Sequence, residues 1–69
     1  MKRLYLYHRP TDDRSIEIFE RSRYGVPHFV VREGASHDHS TPSWDEVEDY
    51  RNRLHTRGFA LRHDAAASG

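Results

Sequence analysis

Residues 41–59 read TPSWDEVEDYRNRLHTRGF, and this stretch decides the architecture of the rest of the chain. Thr41 or Ser43 supplies an N-cap oxygen, Pro42 suits the entry turn, and Ser43 with Glu46 has capping-box spacing. Trp44, Val47, Tyr50 and Leu54 recur at intervals of three and four residues, which makes one apolar stripe on a helix. Gly58 stands where a left-handed residue ends a helix, and Phe59 after it can fold back onto Leu54 in a Schellman ending. A lone helix with one apolar stripe needs a second layer to cover that stripe.

The residues upstream supply that layer as strands. Leu4 and Leu6 alternate with Tyr5 and Tyr7 across residues 2–9, a period-two pattern. Pro10-Thr11-Asp12-Asp13 is a turn sequence, after which Ile16 and Ile18 alternate with Phe19, Arg21 and Arg23. Tyr24-Gly25 interrupts the pattern, and Pro27 to Glu33 resumes it around Phe29-Val30-Val31. Links this short predict an antiparallel meander. Residues 34–42 are polar, carry no hydrophobic period and read as a loop, while residues 59–62 can add a short last strand. The expected fold is α+β, in the order β-β-β-α-β: a three- to four-stranded antiparallel sheet with one amphipathic helix on one face. It forms a single domain over residues 1–64, and residues 65–69 are expected to fray.

With 69 residues, 35% hydrophobic and 32% charged, the core is thin and a multidomain enzyme is excluded. No apolar run approaches the ~20 residues of a membrane span, and no secretory leader is read at the N-terminus. The absence of cysteine removes disulfide frameworks, zinc ribbons and thiol catalysis, and fits a cytoplasmic setting. Formal charge is zero but uneven: residues 1–32 sum to +3, residues 33–50 to −6 and residues 51–69 to +3. Most of that asymmetry is ordinary helix electrostatics. Asp45, Glu46, Glu48 and Asp49 lie in the first turns, and Arg51, Arg53, His55 and Arg57 in the second half.

Six histidines require a metal site to be weighed. His37 and His39 flank Asp38 and are weak candidate ligands, but zinc needs a third and fourth ligand that no local spacing supplies. No nucleophile elbow, phosphate-cradling loop or dinucleotide turn is present. The expectation is therefore a non-catalytic chain with no assigned metal or cofactor.

Strand parity yields the more informative constellation. With Leu4, Leu6, Ile16, Ile18, Phe29 and Val31 pointing at the helix, the other sheet face carries arginines and rings. Its residues are Arg3, Tyr5, Tyr7, Arg9, Phe19, Arg21, Arg23 and Arg32, with His28 and Val30 between them. Tyrosine, phenylalanine and arginine are the anchors of protein interfaces, and the same mixture can stack bases and meet phosphates. A plain solvated face, with tyrosines paired across strands under arginine stems, is a third reading. Net charge zero favours a protein partner over nucleic acid. The expected function is a stand-alone binding module of the inhibitor or adaptor type, docking on a larger protein or protein complex. Phages and mobile elements encode small modulators of host machinery of this kind. Direct nucleic-acid binding by the same face is the alternative, self-pairing through it is a further use, and no membrane partner is expected.

Overall fold

Alternating side chains and short turns fold the N-terminal half back and forth before the helix crosses it. The computed structural model describes residues 1–34 and 37–66. It places β1 at Lys2–Arg9, β2 at Arg14–Arg23, β3 at Val26–Glu33, β4 at His37–Thr41, α1 at Trp44–Thr56 and β5 at Ala60–Asp64. The strands form one sheet in the order β4-β3-β2-β1-β5, every neighbour antiparallel. The α+β class and the single amphipathic helix stand as expected.

Two features were not legible. Residues read as loop contain β4, whose polar His37-Asp38-His39-Ser40-Thr41 carries no hydrophobic alternation and is held by pairing to β3. The second is a bulge in β1. Arg3 lies opposite Phe19 but Tyr5 lies opposite Ile18, so Leu4 is an extra residue in the strand. Such an insertion reverses the facing of everything that follows it. Arg3 keeps the outward direction expected of it, whereas Tyr5 and Tyr7 turn inward, opposite Ile18 and Ile16. Leu6 turns outward and is half-buried, and Leu4 packs against the margin of the core.

The core is therefore built on two tyrosines where leucines were expected. Tyr5, Tyr7, Ile16, Ile18, Phe29 and Val31 of the sheet pack beneath Val47, Leu54 and Phe59. Tyr7 is fully buried, and so are Val47 and Leu54 to within 1%. A buried tyrosine hydroxyl must find a partner, and Arg51 provides it. Its Nε donates to the Tyr7 hydroxyl oxygen at 2.7 Å, while its guanidinium carbon lies 3.7 Å from the Tyr5 ring centroid. Glu48, one turn earlier, accepts from the same guanidinium at 3.0 Å. Burial pushes the Tyr5 phenol up, against the lowering influence of the adjacent Arg51 charge.

The helix ends follow the sequence closely. Ser43 is the N-cap and its hydroxyl accepts from the Glu46 amide, while the buried Thr41 hydroxyl accepts from the Ser43 amide. At the other end Gly58 has φ +87°, the Phe59 amide donates to the Leu54 carbonyl and the Gly58 amide to that of His55. Those two bonds define the Schellman ending, and they deliver Phe59 to the core beside Leu54. Trp44 sits at the core margin, 39% exposed, edge-on to Phe29 with ring centroids 5.0 Å apart. Tyr50 donates to the Glu33 carboxylate at 2.5 Å, tying the helix to the end of β3. Beyond β5, the Ala65 amide donates to the Leu4 carbonyl at 2.9 Å, and residues 67–69 of the expected tail lie outside the described residues. No helix among the described residues is long and apolar enough to cross a membrane.

Arg51→Ala is expected to lower stability by about 2–3 kcal/mol, because it removes a ring contact and strands a buried hydroxyl. Tyr7→Phe should cost about 1 kcal/mol, and the double variant less than the sum of the two. Denaturant unfolding of the four proteins checks this.

Candidate binding surface

The helix covers one face of the sheet, so the opposite face is where side chains remain available to a partner. Alternation from the inward Ile16, Ile18, Phe29 and Val31 places Glu17, Phe19, Arg21 and Arg23 of β2 on it, with Val26, His28, Val30 and Arg32 of β3. Arg3 and Leu6 of β1 join them, and Asp38 and Ser40 of β4 stand opposite Arg32 and Val30. Phe19 and Val30 face each other at its middle, Phe19 half-buried and Val30 4% exposed.

Arginines flank this apolar strip, and two of the four, Arg3 and Arg32, are already paired. Arg32 binds Asp38 through two bonds of 3.0 and 3.4 Å, and its guanidinium carbon stands 5.0 Å from the Phe19 ring centroid. Arg3 reaches Glu17 at 3.2 Å. Exposed pairs of this kind add little stability, but the pair with Asp38 helps hold the Arg32 guanidinium over the Phe19 ring. The strip is thus partly roofed by side chains that a partner can displace or stack upon.

Five of the eight residues expected on this face are there: Arg3, Phe19, Arg21, Arg23 and Arg32. The other three are corrected by the bulge at Leu4. Tyr5 is 9% and Tyr7 0% exposed, both under the helix. Arg9 points to the helix side, where its guanidinium carbon lies 4.6 Å from the Phe59 ring centroid and it donates to the Arg57 carbonyl. Two further bonds, of 2.9 and 2.7 Å, bind it to Asp12. It closes the end of the core and is not free to meet a partner.

Sequence reading passed over Tyr24, which is 99% exposed, and Val26, which is 50% exposed, at the turn between β2 and β3. The available signal was Tyr24-Gly25 itself, two residues between alternating runs, the spacing of a tight hairpin. Of the histidine pair, the His37 side chain lies outside the described residues, and His39 stands opposite Val31 on the helix side. Among the described residues no group of three or more His, Cys, Asp or Glu side chains is arranged to hold a metal ion.

The Arg9–Asp12 link also sets a pH response. The hydrogen bond from Arg9, followed by the nearby Arg9 and Arg14 charges, pulls the Asp12 carboxyl down from 3.8 to about 2. A carboxyl depressed in the fold contributes stability that is full above its unfolded value and is lost as pH falls through the folded one. Asp12 should therefore hold Arg9 until the pH drops below 3.8 and release it near about 2. A carboxyl-carbon NMR titration is expected to show that low midpoint, moving back toward 3.8 in Arg9→Ala.

No family model, curated protein or solved structure matches the chain.

Proposed function

We propose that this chain is a non-catalytic binding module, an inhibitor or adaptor that docks the uncovered sheet face on a larger protein. The observation that carries the reading is the face itself. A five-stranded sheet buries one side under a helix and leaves on the other an apolar strip of Leu6, Phe19 and Val30 beneath arginines. Rings and arginines are the side chains that carry most interface energy. Charge supplies the chemistry of the partner. Arg3 and Arg32 are matched by Glu17 and Asp38, but Arg21 and Arg23 have no carboxylate within 4.0 Å among the described residues. The face thus carries net positive charge and suits an acidic protein surface. Missing catalytic motifs and the lack of cysteine support a cytoplasmic modulator more than a secreted or enzymatic role.

Nucleic acid is the second reading, favoured by the same unmatched arginines. Counting against it are the zero formal charge of the chain and the loss of Tyr5 and Tyr7 as stacking platforms.

Capture from a lysate of the source cells, with and without nuclease, separates the two. A protein retained after nuclease treatment, and reduced about tenfold or more by Phe19→Ala, is the expected result. Capture that falls log-linearly and steeply with salt and disappears with nuclease would move the reading to nucleic acid. Tyr5→Ala and Tyr7→Ala are poor probes of this face, because both strike the core.

A further inference from the structure

β2 and β3 run on together past the rest of the sheet. β1 leaves β2 at Glu20, opposite Lys2, and β4 leaves β3 at Phe29, opposite Thr41. From there Arg21 pairs only with His28, Ser22 with Pro27 and Arg23 with Val26, a two-stranded arm projecting beyond its neighbours. Residues 21–27 are all exposed.

The tip is conformationally unusual. Tyr24 has φ +53° and Gly25 φ +76°, the pair of positive values of a type I′ turn. Glycine takes that conformation freely, and nothing lies within 4 Å of where a Cβ on Gly25 would stand. Tyrosine does not: the left-handed region is costly for a bulky side chain, and asparagine or aspartate is the usual first residue of such a turn. Tyr24 therefore sits where folding alone favours a different residue, and its ring, 99% exposed, recovers nothing from packing. Local strain that the fold does not reward is a mark of a functional position.

We infer that the β2–β3 arm is the anchor of the docking surface, with Tyr24 inserting into a carboxylate-lined cleft of the protein partner. The inference rests on the sheet-face reading and names the element that gives it affinity. A rigid two-residue turn presents a tyrosine whose two side-chain torsions are all that binding must freeze. Arg21 and Arg23 stand behind it on the outer face, their charges unmatched by any carboxylate within 4.0 Å among the described residues. They are placed to meet acidic groups at the mouth of the cleft. Pro27 lacks an N–H and blunts the β3 edge of the arm against strand addition.

The test places a photo-crosslinking residue in the full chain, as Tyr24→p-benzoylphenylalanine and separately as Phe19→p-benzoylphenylalanine, irradiated in source-cell lysate. The expected result at position 24 is a nuclease-resistant protein adduct whose crosslinked peptide has aspartates or glutamates close by in the partner's sequence or structure. Tyr24→Asn should keep the fold, with a melting temperature equal or higher, and reduce adduct formation at position 19 about tenfold or more. Arg21→Glu with Arg23→Glu should do the same. Adducts at position 19 but none at position 24, or undiminished capture by Tyr24→Asn, would overturn the anchor while leaving the sheet-face reading intact. Adducts at neither position would end both. An adduct at position 24 to nucleic acid, to a second copy of the chain or to a peptide without acidic neighbours would also overturn the anchor.

Discussion

The contact of Arg51 with Tyr5 and Tyr7 is the constraint around which the molecule is arranged. A fully buried phenol beneath a helix has to be hydrogen-bonded, and the helix answers with a guanidinium that serves two rings at once. A lysine at that position could not do both, since an ammonium has neither the flat face nor the fixed fork. The helix therefore meets the sheet by a mixed seam, with Val47 and Leu54 packing dry and Arg51 bridging between them and β1. In a chain of this size, with so few aliphatic side chains to bury, tyrosine carries a large share of the core area.

The same contact explains where sequence reading succeeded and where it failed. The helix was legible from Ser43 to Phe59 because caps, stripe and left-handed glycine are local signals that agree with one another. The inward faces of β2 and β3 were legible too, because isoleucine, phenylalanine and valine stand against charged neighbours. In β1 the alternating residues are leucine and tyrosine, both able to be buried, so hydrophobicity does not decide between faces. What decides is the extra residue at Leu4 and a partner 44 positions later on the helix. Neither leaves a trace in a local pattern. β4 was hidden for a related reason: its order comes from the β3 ladder and from Arg32 gripping Asp38, and its own composition is that of a loop.

For the binding surface the bulge separates two kinds of arginine. Arg9 and Arg51 are structural cations lying over rings of the core, whereas Arg21 and Arg23 extend from a ribbon that packs against nothing else in the sheet. Arg3 and Arg32 fall between, ion-paired yet accessible. A residue count cannot sort these roles, because ten of the eleven basic residues are chemically identical. Their partners sort them.

The strand order has a consequence for the way the chain comes to be folded. β2, β3 and β4 each pair with the strand before them, so those contacts form between residues close in sequence. β1, however, has one neighbour from the far end: Leu6 lies opposite His63, and Tyr7 opposite Leu61. Joining such distant residues carries a larger loop-closure cost and belongs to the slow part of assembly. On a ribosome, the meander can form while the free edge of β1 waits for a strand not yet synthesised. The interval ends when the Schellman turn swings Phe59 inward and sets β5 alongside. Completion of this sheet is thus timed by the synthesis of β5, and β1 is the strand exposed in the meantime.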